Sequence, residues 1–114
     1  MPLDFEKTFL KQPSEQKTIR IELSEIAENL VLSGYTLTTA EAKIFDSVGS
    51  DKTTDMVEST ITIDATNNYV YVTAKDGVDG SDYTLRLKTT WTKTAQPNQL
   101  DEKDLLIQVR QKGY

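Results

Sequence analysis

The stretch that decides the fold is residues 76–92, DGVDGSDYTLRLKTTWT. A segment rich in Asp and Gly leads into the longest regular alternation of side chains in the sequence. One face of this alternation carries Tyr83, Leu85, Leu87, Thr89 and Trp91. A period of two is that of a β-strand with one buried and one exposed face. The stretch therefore predicts the central strand of a small β-sandwich, entered through a tight turn.

Similar alternations on both sides of this stretch predict further strands. The shorter ones lie at 17–23, 57–63, 69–75 and 105–109. A longer one, at 35–46, changes the parity of its apolar residues near Thr38-Thr39, which predicts a β-bulge or a change of sheet there. Asn67-Asn68 predicts the turn of a hairpin. Residues 24–30 have helical spacing, so we expect one or two helical turns after the first core strand, and no long helix. This pattern favours an all-β sandwich.

Residues 1–16 precede the first predicted core strand and carry Phe5 and Phe9 among charged side chains. Pro13 interrupts regular strand pairing, so we interpret this segment as an N-terminal arm in front of a single domain at 17–114. Two alternatives are open for the arm. It lies along the edge of its own sandwich, or it docks on a neighbouring subunit.

The composition excludes several classes of function. The chain has 114 residues, enough for one domain with one core. Its formal net charge of −5 argues against a nucleic-acid partner. It contains no Cys and no His, which excludes disulfides, Cys/His zinc sites and catalysis by imidazole. We also expect no signal peptide, no transmembrane segment and no membrane partner, because no apolar run of sufficient length is present.

The Asp-rich turn is the first candidate site. Asp76, Asp79 and Asp82 follow one another at intervals of three residues, with Gly between them. Carboxylate oxygens from one loop suit calcium, but the spacing is not that of an EF-hand and no Glu closes the loop. Asp-Gly pairs also form turns without any ligand. We therefore favour a turn, with calcium as the minor alternative, and expect no other cofactor.

No residue pattern points to catalysis. A general acid needs a carboxylate that is partly buried in a cleft, whereas the acids here lie in predicted loops or on polar strand faces. The sequence has no phosphate-binding loop and no motif of a catalytic Ser nucleophile. We expect a protein that is not an enzyme and that has no small-molecule ligand.

A second set of residues is suited to contacts with a partner. Tyr69 and Tyr71 take outward positions on one predicted strand, and Leu106 is an apolar residue at an outward position of the last strand. Aromatic side chains are enriched at interfaces, although they are also common on exposed strand faces. Together with Phe5 and Phe9 of the arm, these residues form the predicted interaction surface.

Several segments in order resemble a known group of proteins. They are KQPSE at 11–15, IRIELS at 19–24, LSGYTL at 32–37, DGVDGSDYTL at 76–85, TT at 89–90 and LLIQV at 105–109. Their order is similar to that of small immunoglobulin-like or fibronectin type III-like proteins that tailed bacteriophages and prophages encode among their virion-structure genes. In such sandwiches a tyrosine at the position of Tyr83 bonds through its hydroxyl to upstream backbone, the tyrosine corner.

The resemblance implies a sandwich of about seven strands and a non-enzymatic structural role, in head decoration, at the head–tail junction or in the tail. It implies other virion proteins or further copies of the chain as partners. It also implies location in the virion after synthesis in the cytoplasm of the bacterial host. No catalytic residue carries over. The alternative is a bacterial immunoglobulin-like binding module that recognises a surface glycan or protein through Tyr69 and Tyr71, with calcium at the Asp-rich turn as an optional aid.

Overall fold

The protein is built from two β-sheets. The computed structural model describes residues 8–23 and 27–111. The strands of that part are β1 (Thr8–Lys11), β2 (Lys17–Glu22), β3 (Thr36–Phe45), β4 (Val57–Asp64), β5 (Tyr69–Ala74), β6 (Asp82–Thr92) and β7 (Gln99–Val109). The helices are α1 (Glu28–Leu32) and α2 (Thr53–Met56). The prediction of a mostly β protein is confirmed.

The two sheets enclose one apolar core. One sheet has the strand order β1-β7-β6-β3 and the other has the order β2-β5-β4. Neighbouring strands are antiparallel, apart from β1 and β7, which run parallel. Inward side chains of both sheets belong to a single buried cluster. This arrangement is compatible with an all-β sandwich, in which alternate residues of each strand face the opposite sheet.

The stretch that decides the fold is the central strand of the larger sheet, as predicted. β6 pairs with β3 on one side and with β7 on the other. All five of its predicted inward side chains are buried, including the polar Thr89. The Trp91 ring N–H donates a hydrogen bond of 2.7 Å to the Thr89 hydroxyl oxygen, which satisfies both polar groups inside the core.

The predicted bulge and hairpin are confirmed as well. The register between β3 and β6 shifts between Leu37 and Thr39, so Thr38 is the extra residue. Its hydroxyl donates a hydrogen bond of 2.9 Å to the Thr90 carbonyl. β4 and β5 form an antiparallel hairpin, and Asn68 in its turn has a φ of 59°. The bulge explains how apolar residues of opposite parity both reach the core.

The helical segments agree only in part with the predictions. α1 follows the first core strand, as expected, while residues 24–26 of the predicted helical segment lie outside the described residues. A second helical turn, α2, precedes β4, and its Met56 side chain is buried; the sequence patterns did not indicate this turn. The Lys52 N–H donates to the Ile44 carbonyl at 2.7 Å, and this contact brings the helical turn against β3.

Within the predicted arm, Thr8–Lys11 pairs with its own domain. β1 is an edge strand that runs beside β7. Lys11 is buried, and its ammonium group donates to the backbone carbonyls of Gln12 and Asp76. Burial lowers the pKa of Lys11 because desolvation disfavours the charged amine. Of the two alternatives for the arm, the described part of it takes the first. Residues 1–7 lie outside the described residues.

The hydroxyl of Tyr83 bonds back to the upstream backbone. It accepts a hydrogen bond of 3.1 Å from the Val78 N–H, five residues earlier in the chain. Tyr83 is 5% exposed and stands at the beginning of β6. The bond ties the turn to the first inward side chain of the central strand.

Replacing Tyr83 with Phe is expected to lower the free energy of unfolding by about 1 kcal/mol, because the Val78 N–H loses its partner in a partly buried place. Chemical denaturation followed by circular dichroism measures the change. The matched control is Tyr71→Phe, which removes a hydroxyl from the outer face of the smaller sheet. Equal effects of the two substitutions would contradict a specific role for the Tyr83 hydroxyl.

Candidate functional site

The Asp-rich turn does not bring its three carboxylates together. The Asp82 carboxylate accepts a hydrogen bond of 2.7 Å from the Arg110 guanidinium. The Asp79 carboxylate accepts one of 2.7 Å from the Gln111 N–H. Asp76 has a φ of 55° and offers its backbone carbonyl to Lys11. Among the described residues, no group of three or more acids could hold a metal ion. Asp79 and Asp82 thus use their carboxylates in contacts with different partners, whereas Asp76 makes its contact through the backbone.

The predicted interaction surface is divided by the fold. Phe5 lies outside the described residues. Phe9 is opposite Ile107 in the register of β1 and β7, so it takes an inward position and packs against the core. The structure thus places Phe9 half-buried against the core of its own domain, whereas the sequence pattern assigned it to the interaction surface. Tyr69 and Tyr71 lie on the outer face of the smaller sheet, whereas Leu106 lies on the outer face of the larger one.

The tyrosine face is not a flat platform. The rings of Tyr69 and Tyr71 are perpendicular, with an interplanar angle of 89° and centroids 6.4 Å apart. The Arg20 guanidinium lies 4.8 Å from the centroid of the Tyr69 ring and pairs with Glu22 at 2.9 Å. One face of Tyr69 is therefore covered by a cation. The pair can contact a partner, but it does not offer two coplanar rings for stacking on sugars.

A groove crosses the outer face of the larger sheet. Phe45, Thr84 and Leu106 are side by side in the register of β3, β6 and β7. With Arg86 and Asp104 beside them, they line an open depression of about 450 Å³. We call it the Phe45–Leu106 groove. Phe45 and Leu106 are half-buried, so each presents part of an apolar side chain to the groove.

The loop at one end of the groove is held by Asp46. Its carboxylate accepts hydrogen bonds from the N–H groups of Val48 and Ser50, at 3.0 and 2.8 Å. Such contacts between an Asp side chain and the following backbone are typical of tight turns. The loop is thereby fixed against the end of β3, next to Phe45.

Charged side chains along the groove are paired. Arg86 lies 3.0 Å from the Asp104 carboxylate and 3.3 Å from that of Glu102. The hydrogen bond and the negative charge of Asp104 raise the pKa of Arg86. The guanidinium carbon is also 5.1 Å from the centroid of the Phe45 ring. These contacts hold the arginine over the aromatic ring, so the groove has an ordered polar side next to its apolar floor.

Sequence reasoning identified Leu106 in this groove and missed Phe45 and Arg86. The signal for Phe45 was available, because an aromatic residue on the outward parity after the bulge is as conspicuous as Leu106. Arg86 could not have been found from the sequence alone. Its role depends on which residues of β3 and β7 lie beside it, and cross-strand register is a property of the fold.

No protein-family model and no curated protein matches this chain. Function is therefore inferred from the residues and surfaces described above. Within the described ranges, the structure has no helix that is both long and apolar enough to span a membrane. The Phe45–Leu106 groove combines half-buried apolar side chains with an arginine that is paired to Asp104 and lies over the Phe45 ring.

Proposed function

We propose that this chain is a non-enzymatic structural protein of a bacteriophage or prophage particle, acting through protein–protein contacts in head decoration, at the head–tail junction or in the tail. The observation that carries the proposal is the Phe45–Leu106 groove. It places partly exposed apolar side chains and a paired arginine on the outer face of the larger sheet, beside the loop that follows β3. Aromatic residues and arginine are enriched where proteins meet, and they contribute much of the binding energy there.

A second part of the proposal is that the domain is an immunoglobulin-like or fibronectin type III-like sandwich. Immunoglobulin-like sandwiches order their strands B-E-D in one sheet and C-F-G in the other. The orders β2-β5-β4 and β3-β6-β7 correspond to these when the strands are lettered along the chain. The first strand departs from the pattern, because strand A lies beside strand B in such sandwiches, whereas β1 pairs with β7. The bond from the Val78 N–H to the Tyr83 hydroxyl has the form of a tyrosine corner. Fold analogy alone does not assign a function, so the groove remains the main support.

The groove can be tested with one substitution. Leu106→Lys is expected to reduce incorporation of the protein into particles by at least about tenfold, because it puts a charge on the apolar floor of the contact. The variant is expressed in cells that lack the wild-type gene, and particles are purified from these cells. Mass spectrometry of the particles then measures how much of the variant is incorporated.

The matched control is Leu32→Lys on α1, since Leu32 is 75% exposed and lies outside the groove. Both variants should fold, because Leu32 is exposed and Leu106 is half-buried on an outer face of the sheet. Incorporation of the Leu106 variant at the level of the control would show that the groove is not the contact surface.

A bacterial binding module for a surface glycan or protein is the second candidate function. It is favoured by one observation, the position of Tyr69 and Tyr71 on the outer face of the smaller sheet beside Arg20. Glycan arrays probed with the purified protein and with Tyr71→Ala test it. Binding that is lost in the variant would support this candidate, and the absence of any binding would remove it.

A further inference from the structure

Within the described residues, one edge of the last strand has no paired strand over much of its length. On one side, β7 pairs with β6 from Gln99 to Gln108. On the other side, β1 covers it from Leu106 to Val109. No other described strand pairs with that side between Gln99 and Leu105. Every second residue of an antiparallel strand directs its N–H and C=O away from its partner, so this edge is able to accept another strand.

This edge carries one acidic and one basic side chain, which could pair with the same two residues of a second copy. Asp101 and Lys103 are two residues apart on the same face of β7, and their charged atoms are 3.7 Å apart. Both side chains are largely shielded from solvent, with exposures of 22% for Asp101 and 28% for Lys103. In the described part of the chain, the Asp101 Oδ2 atom is buried and has no hydrogen-bond partner. A buried carboxylate oxygen without a partner is costly, so a donor in this place would be stabilising.

We propose that two copies of this chain associate edge to edge, with segment 99–105 of each β7 pairing antiparallel about a twofold axis at Glu102. In this register Asp101 of each copy faces Lys103 of the other, which forms two ion pairs related by the axis. The larger sheets of both copies then form one continuous sheet. The inference deepens the proposed function and rests on it for its biological role, but it concerns the purified chain and is tested without particles.

Neighbouring registers are disfavoured by charge. An axis at Asp101 places the two Asp101 side chains opposite each other, and an axis at Lys103 does the same for the lysines. Displacement by a single residue would match inward with outward side chains, because strands have a period of two. In the proposed register the two Glu102 side chains meet at the axis. Each lies 3.3 Å from Arg86 of its own chain, which offsets part of their repulsion.

Sedimentation-velocity centrifugation of the purified full-length chain tests the proposal, at concentrations up to about 1 mM. The wild type is expected to form a dimer that weakens as salt is added. Asp101→Lys and Lys103→Asp are each expected to weaken dimerisation by at least about tenfold, because each places like charges opposite one another. Combining both substitutions should restore the dimer, since the ion pairs form again with reversed polarity.

Two further variants keep the result independent of folding defects. Lys43→Asp makes the same change of charge on β3, where Lys43 is 51% exposed, and should dimerise as the wild type does. Glu102→Gln should strengthen dimerisation, because it removes repulsion at the axis. A wild type that is monomeric at every concentration would overturn the proposal, as would a dimer that is indifferent to both single reversals. Dimers that form only after residues 1–7 are deleted would show that this segment covers the edge in the full-length chain. That result would also overturn the proposal. None of these outcomes depends on whether the protein is found in particles.

Discussion

Leu87→Ala is expected to lower the free energy of unfolding by about 2–5 kcal/mol, because the small side chain leaves a cavity in the middle of the core. Leu87 is 1% exposed and lies on the central strand of the larger sheet. Its neighbours across the sheet are Ala42 on β3 and Lys103 on β7. The backbones of both strands are held in place by their pairing with β6. The site therefore cannot collapse fully around the alanine.

Urea denaturation measures this change, and the next residue provides the control. Lys88 is exposed on the opposite face of the same strand, so Lys88→Ala should stay within about 0.5 kcal/mol of the wild type. A loss below about 0.5 kcal/mol for Leu87→Ala would mean that the buried and exposed faces of β6 are assigned the wrong way round.

Gly77→Ala is the second substitution with a large expected effect. Gly77 has a φ of 105°, which side chains with a Cβ atom rarely adopt. A Cβ built there would lie 2.9 Å from Val109 Cγ2 and 3.2 Å from Met56 Cε. Val109 belongs to the last strand and is fully buried, so it has little room to move. Strain and overpacking together should lower the free energy of unfolding by about 2–4 kcal/mol.

Gly80 separates the two causes. Its φ is 84°, but a Cβ there meets no atom within 4 Å. Gly80→Ala should therefore show the cost of backbone strain without the clash, about 1 kcal/mol. Thermal or urea denaturation of both variants gives the comparison. If Gly77→Ala lowers the free energy of unfolding by no more than Gly80→Ala does, the turn is not packed closely against β7.

The strands could be predicted from the sequence because their period of two is strong. Every inward residue predicted for β6 is buried, and even the bulge at Thr38 was visible as a change of parity. Predictions about β1 were weaker. Phe9 lies in a short segment before Pro13, where four residues of parallel pairing leave no recognisable pattern, so its inward position could not be seen.

The candidate site could be predicted less well than the fold. Leu106 was found because an apolar residue on an outward parity is visible in the sequence. The groove itself depends on the register that places Phe45, Thr84 and Leu106 in one row. The Asp-rich turn shows the converse, since its three regularly spaced carboxylates left calcium open as a minor alternative to a plain turn. The fold gives Asp79 and Asp82 separate partners in the chain segment after β7.

The central claim is that this chain is a structural component of a bacteriophage or prophage particle. Quantitative mass spectrometry of particles purified from the producing bacterium tests it most directly. The account predicts that the protein remains with the particles through density-gradient purification, in a fixed ratio to the main head or tail proteins. Particles that are complete and infectious but contain none of this protein would contradict the claim.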